Sequence, residues 1–424
     1  MSEKIQAPRG TYDVLPGNCE LRRDLLADFA EPAFLRAGYG RLETPIFEDT
    51  ALFARGVGES TDVVAKEMYT FTDQGDRSLT LRPEGTAAVC RAYVEHGMHK
   101  AAQPVKRWYS GPFFRQEAPQ SGRFRQFFQI GAEALGSDDP AVDAESIALL
   151  AKLLKDWGVA DARLRIGSLG SASERNAYSD ELKSYLRANE AQLSEDVVER
   201  IDLNPLRAFD AKHPGTQAVM SEAPLLIDRI SPEDRAHFDD VLALLGAAGV
   251  EYEVDPTLVR GLDYYTRTVF EFTSDKLGAQ SGVGGGGRYD GLVELLGGPP
   301  TAGIGWAAGI ERMMLAAEKE QPGQVPIDVY IALEEGADSA AAFAALLELR
   351  DRYGLTAQIE LAGRSLKGQL KQASRLLARR VVILGGERGE YDAAVKNMDT
   401  GDQKELSGLT AGDYIERIVA EVKK

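Results

Sequence analysis

The sequence predicts an α+β core, an antiparallel sheet flanked by helices, with a helical insertion and a small C-terminal α/β domain. Three observations predict it. Long helical patterns bracket segments that alternate with period two, without a regular β-α-β rhythm. Residues 172–250 are rich in Arg, Asp and Glu, helical in pattern and without motif-like glycines. Beyond the polar stretch Ala316-Ala317-Glu318-Lys319-Glu320-Gln321-Pro322-Gly323-Gln324, strand and helix patterns alternate. A length of 424 residues also exceeds the ~250–300 at which chains divide into domains. The expected boundaries are 1–170 with 251–320 for the core, 171–250 for the insertion, 321–324 for a linker and 325–424 for the last domain.

Taken in order, residues 18–37 place Leu21, Leu25, Phe29 and Leu35 at helical spacing, and Pro32 is expected to kink that helix or end it early. Arg41-Leu42-Glu43-Thr44-Pro45-Ile46-Phe47 alternates like a strand interrupted by proline. From Phe124 to Leu135, Phe124, Gln126, Phe128 and Ile130 share one face, and Arg125, Phe127, Gln129, Gly131 and Glu133 the other. Asp139-Pro140 supplies an N-cap and first-turn proline for a helix carrying Ile147, Leu150, Ala151 and Leu154 and ending before Gly158. In the last domain, strands are expected at 327–332, 356–361 and 380–384, and helices at 338–353 and 365–378.

Composition narrows the function. The net charge of −17 argues against a general polyanion binder. Two basic islands interrupt it: residues 91–126 hold seven Lys or Arg against two acids, and residues 362–380 hold six and no acid. These suggest local anion sites. No apolar run nears the ~18 residues of a membrane span, and the first residues lack a secretory pattern. Cys19 and Cys90, far apart, make no disulfide framework. A cytoplasmic protein is expected.

Gly282-Val283-Gly284-Gly285-Gly286-Gly287 formally matches a dinucleotide fingerprint, but no β-α-β unit surrounds it and no acid follows at the required spacing. A glycine-lined floor, where backbone approaches a ligand, fits better. No P-loop, H-E-x-x-H or G-x-S-x-G occurs, and His96 and His99 lack a third ligand nearby. More specific is Tyr109-Ser110-Gly111-Pro112-Phe113-Phe114-Arg115-Gln116-Glu117, followed by a Pro/Gly loop with Arg123 and a strand carrying Gln129 and Glu133. This reads as a hairpin with charge on one face, and the guanidinium fork suits phosphate oxygens.

That hairpin resembles motif 2 of the class II aminoacyl-tRNA synthetases. Gly303-Ile304-Gly305-Trp306-Ala307-Ala308-Gly309-Ile310-Glu311-Arg312 resembles their motif 3, and the helix leading to Pro45 their motif 1. Thr80-Leu81-Arg82-Pro83-Glu84-Gly85-Thr86 and Leu258-Val259-Arg260-Gly261-Leu262-Asp263-Tyr264-Tyr265 resemble the histidyl-tRNA synthetases specifically. The resemblance covers the whole chain, with no departure at a motif position.

The resemblance implies an ATP-dependent histidine–tRNA ligase that forms histidyl-adenylate and then esterifies tRNA(His). Its substrates are L-histidine, ATP with Mg2+, and tRNA(His), with no tightly bound prosthetic group and no protein-held metal. It implies that Arg115 binds the α-phosphate, Arg123 and Arg312 the β/γ end, and Glu117 the adenine amino group. Arg260 lies between carboxylate and α-phosphate, making Arg115 and Arg260 the catalytic pair. Glu84, Gly85, Thr86 and Gln129 surround the ammonium. Glu133, Tyr264 and Tyr265 read the imidazole; in a strand only one of the two tyrosines can face the pocket, and Tyr264 is the expected closer contact. Lys367, Lys371, Arg375 and Arg379 recur every four residues, a basic stripe for tRNA in an anticodon-binding domain. A homodimer through motif 1 is implied. The alternative is a non-catalytic paralogue regulating ATP phosphoribosyltransferase in histidine biosynthesis, which is expected to lack the C-terminal domain and ATP-site residues; both are present here.

Overall fold

The computed structural model describes residues 4–15, 20–58, 61, 63–120, 122–278, 281–317, 325–386, 391–409 and 414–423. Cys19, the 321–324 linker and the side chains of Leu21 and Leu25 lie outside them. The chain forms two compact units, Met1–Asp13 with Arg22–Glu320, and Val14–Leu21 with Gln321–Lys424.

The strands of the first unit are β1 (Gly40–Arg41), β2 (Phe47–Asp49), β3 (Tyr69–Thr72), β4 (Ser78–Leu81), β5 (Val105–Phe114), β6 (Gln126–Leu135), β7 (Arg163–Ser168), β8 (Glu253–Val254), β9 (Thr266–Thr273), β10 (Gly282–Arg288) and β11 (Gly303–Gly309). Eight make one sheet in the order β1-β5-β6-β11-β10-β9-β7-β8. It is antiparallel except at its margins, where β1 runs parallel to β5 and β7 to β8. Strands β2, β4 and β3 form a small antiparallel sheet.

One face of the large sheet is covered by helices. Ile130, Ala132, Phe270 and Trp306 pack against Phe34 of the helix Glu20–Arg36, Ile147, Leu150 and Leu154 of Pro140–Trp157, and Val241 and Leu245 of Pro232–Ala247. Pro140–Trp157 forms for local reasons. Asp139 accepts the Ala141 N–H at 2.8 Å, proline occupies the first turn, and Gly158 ends the helix at φ 99°. Of the two outcomes expected of Pro32, the early end does not occur: the helix runs on to Arg36. Burial of Ala30, Ala33 and Phe34, with Phe34 stacked on Trp108 at 4.8 Å, offsets the roughly 3 kcal/mol that an interior proline costs. Helices Ala172–Ala188, Glu195–Arg200 and Pro214–Ser221 gather Tyr178, Leu182, Leu186 and Ile201 into a separate cluster, joined by Tyr265 and Val269 from the opposite side of the sheet.

The second unit holds β12 (Val329–Leu333), β13 (Ala357–Ile359), β14 (Arg380–Gly385), β15 (Tyr391–Asn397) and β16 (Gln403–Leu409), ordered β13-β12-β14-β15-β16. The first three are parallel and the last two antiparallel additions, which sequence patterning missed together with the helix Tyr414–Val422. The helix expected over 365–378 is shorter, Leu366–Arg375. Leu377 adopts φ 52°, turning the chain toward β14. Arg379 therefore lies beyond the helix, 3.5 Å from the Asp328 carboxylate. The stripe along the helix is Lys367, Lys371 and Arg375, all exposed.

Candidate active site

The alternation of β6 decides which side chains leave the core. Ile130, Ala132 and Ala134 turn toward the helices, so Gln129 and Glu133 turn to the other face. On that face a cavity of about 660 Å³ is lined by Glu84, Gly85, Thr86, Arg115, Glu117, Arg123, Gln129, Arg260, Tyr264, Tyr265 and Arg312. Segments scattered over more than half the chain converge there. Gly282, Gly284 and Gly285 of β10 form part of the wall. A Cβ at Gly285 would stand 2.5 Å from the Phe270 carbonyl and 3.1 Å from Arg260 Nη2, so a side chain there would displace backbone or the guanidinium.

Glu84 is placed by a helix terminus. Its carboxylate accepts the Thr86 and Ala87 N–H groups at 2.7 and 2.9 Å, at the start of the helix Thr86–Glu95. Burial raises its pKa, opposed by those N–H groups and by Arg115. Gln129 Oε1 is buried with no hydrogen-bond partner among the described residues.

The arginines meet carboxylates. Glu117 sits between Arg123, at 2.9 Å, and Arg115, at 3.7 Å. Arg115 is anchored by its Nε, which donates to the Pro83 carbonyl at 2.9 Å. Arg260 Nη1 donates to Glu271 Oε1 at 2.6 Å. Burial works against the Arg260 charge, but Glu271 and the neighbouring tyrosines outweigh it and hold its pKa above the ordinary value. Arg312 donates to the carbonyls of Gly282 and Gly122. Burial, and then the charge of Arg123, lower its pKa.

Glu133 is not part of the cavity surface. It lies behind Thr86 and Tyr109, wholly buried among hydroxyls. Thr86 Oγ1 and the Tyr109 hydroxyl donate to Oε1 at 2.8 and 3.3 Å, and the Tyr289 hydroxyl donates to Oε2 at 2.6 Å. Burial lifts its carboxyl to about 8, and the hydroxyls only partly counter it. Tyr264 and Tyr265 both line the cavity, their rings 4.8 Å apart. The expectation that only one could do so is corrected, because strand β9 starts at Thr266 and the pair precedes it.

Sequence reasoning missed Tyr109, Tyr289, Glu271 and Glu311. Tyr109 stands inside the quoted hairpin motif, and Tyr289 follows the glycine run one residue on, after Arg288. Each is visible in the sequence as a neighbour of a motif. Nothing local marks Glu271 as the partner of Arg260, eleven residues earlier. Among the described residues, no three His, Cys, Asp or Glu cluster to hold a metal ion, and no helix is long and apolar enough to cross a membrane.

A family model described as histidyl-tRNA synthetase matches residues 10–313. Among curated relatives, a histidine–tRNA ligase of Halothermothrix orenii is 48% identical, the match covering 98% of this chain and all of that one. One of Nocardia farcinica is 49% identical over 96% of each. Among solved structures, apo S. aureus histidyl-tRNA synthetase matches with a TM-score of 0.75 at 35% identity, covering 98% of this chain and all of that one.

Proposed function

The chain belongs to the histidyl-tRNA synthetase family, and from that premise we infer that it is a histidine–tRNA ligase, activating histidine with ATP and transferring it to tRNA(His). The reading as a regulatory paralogue has less support, since curated ligases match along nearly the whole chain.

Adenylate formation brings the histidine carboxylate and the α-phosphate, two anions, into line. The protein's task is positioning and charge neutralisation. One observation carries the assignment: Arg115 and Arg123 from one hairpin, with Arg260 and Arg312 from two other stretches, line one cavity of an acidic chain, beside the buried Glu84 and a Gln129 Oε1 without a partner among the described residues. We assign Arg115 to the α-phosphate and Arg260 to the space between α-phosphate and carboxylate, where a guanidinium keeps its charge without a metal. Arg123 and Arg312 take the β- and γ-phosphates, to which Mg2+ is bound as part of the nucleotide substrate. Glu117 takes the adenine amino group. Glu117, now paired with Arg115 and Arg123, and Glu271, now paired with Arg260, give way to phosphate oxygens, an exchange of one anion for another. Glu84, Gly85, Thr86 and Gln129 receive the ammonium, with Tyr264 and Tyr265 at the imidazole. Glu133 acts from behind. As a carboxylate it accepts from Thr86 and Tyr109, leaving their oxygens turned outward as acceptors for a ring N–H.

ATP–pyrophosphate exchange driven by each amino acid singly tests this reading. Exchange with histidine alone is expected; exchange with another amino acid, or none with histidine, overturns it.

We further assign residues 171–250 to the insertion, its last helix Pro232–Ala247 packing back on the core, and 325–424 to anticodon binding, with Lys367, Lys371 and Arg375 facing tRNA phosphate. Exposed Leu35, Ile46, Phe47 and Phe71 suit a homodimer interface. The cytoplasm, where tRNA is charged, is the compartment this activity requires.

A further inference from the structure

The nucleotide end of the cavity is braced by a segment that the sequence motifs do not include. Residues Pro8–Tyr12 turn tightly, Thr11 N donating to the Pro8 carbonyl at 3.0 Å and Gly10 adopting φ 85°. The turn lies directly on Arg125. Arg125 N donates to the Gly10 carbonyl at 2.7 Å, and a Cβ on Gly10 would stand 2.8 Å from Arg125 Cγ. Arg125 closes the base of the Arg115–Arg125 loop, its carbonyl accepting Arg115 N at 2.9 Å. Two residues further on, the Tyr12 ring packs on Phe124 with centroids 4.7 Å apart. Its hydroxyl donates to Glu311 Oε1 at 2.8 Å. Glu311 is buried and also accepts the Phe128 N–H, at 3.1 and 3.0 Å.

The segment thus grips two elements at once. Phe124 adjoins Arg123, and Glu311 adjoins Arg312. We propose that Pro8–Tyr12 is a positioning strap for ATP, setting the separation between the Arg123 loop and the Arg312 helix through the Gly10–Arg125 and Tyr12–Glu311 contacts. This rests on the assignment of Arg123 and Arg312 to the nucleotide phosphates. Tyr12 is a positioning residue: it acts through Glu311 and Phe124. The physical requirement is plain. Two guanidiniums on independent elements bind one phosphate chain well only if their spacing is set beforehand, because the cost of ordering them otherwise falls on binding. A segment that merely covers apolar surface would need the Tyr12 ring and not its hydroxyl.

The test removes only the hydroxyl. In full-length protein, Tyr12→Phe should raise the ATP KM of histidine-dependent exchange about three- to tenfold, less than the roughly ten- to 150-fold that a hydrogen bond to a charged group is worth in direct contact, because Tyr12 reaches the phosphates only through Glu311. The histidine KM should stay within about twofold, and the melting temperature should change little. Gly10→Ala, which drives a methyl against Arg125, should raise the ATP KM in the same direction, and the ATP-induced gain in melting temperature should shrink in both variants. An unchanged ATP KM in Tyr12→Phe, or an equal rise for both substrates, overturns the strap. Exchange by the parent protein with an amino acid other than histidine would instead overturn the functional reading, so the two failures are distinguishable.

Discussion

Glu133→Gln replaces one oxygen of a wholly buried carboxyl by an amide nitrogen while keeping its shape. The carboxyl accepts three hydroxyls, from Thr86, Tyr109 and Tyr289, and burial lifts its pKa to about 8. An unfolded chain titrates this group near ~4.3. Between those values the folded protein holds a proton that the unfolded chain has released, so unfolding free energy falls as pH rises. The contribution is present below the unfolded value and lost as pH climbs through about 8, at no more than about 1.4 kcal/mol per pH unit. The variant cannot ionise there and should lose that slope, gaining stability relative to the parent as pH increases. Binding should move the other way. The ionised carboxyl is the form that turns the Thr86 and Tyr109 oxygens toward the ring, so the parent's histidine KM should fall as pH rises toward about 8. A hydrogen bond from the neutral ring N–H to a hydroxyl oxygen is worth ~0.5–1.5 kcal/mol, roughly two- to tenfold in affinity. Glu133→Gln should therefore raise the histidine KM by about three- to tenfold above that pH, with the ATP KM unaltered. The assay is ATP–pyrophosphate exchange with histidine titrated across pH, beside denaturant unfolding at each pH. A histidine KM within about twofold of the parent above the carboxyl's pKa would remove Glu133 from recognition, and parent stability that rises through the window would refute the burial argument.

Arg260→His should depress single-turnover adenylation ~10²–10³-fold with a much smaller change in histidine KM, since a donor aimed at developing charge acts mainly in the transition state. Arg260→Lys should rescue it in part, because a point charge cannot bridge two oxygens as a planar fork does; a loss under about tenfold in Arg260→His would leave Arg260 only its structural ion pair with Glu271. Reversing the exposed cations in the triple variant Lys367→Glu, Lys371→Glu, Arg375→Glu should weaken tRNA charging and flatten its salt dependence while exchange continues. Unimpaired charging at physiological salt would free this helix of any tRNA role.

The sequence by itself determined the features whose causes lie within a few residues. Asp139, Pro140 and Gly158 bound a helix through their own caps, and the alternation of β6 sends Gln129 and Glu133 to the face opposite Ile130. The motif residues that line the cavity were legible through their resemblance to the class II synthetases, which short stretches of sequence carry. Other elements depend on distant partners. Strand β16 is mostly exposed and has little apolar periodicity to show, and it exists because β15 offers it a ladder. The brevity of the helix Leu366–Arg375 follows from Leu377 turning into β14, so Arg379 left a stripe that spacing alone had drawn. The hydroxyl cage of Glu133 was decided only in three dimensions. Its members lie 24, 47 and 156 residues away from it in the chain. A carboxyl's environment is set by burial and by donors within about 3 Å, and distance along the chain carries no record of either.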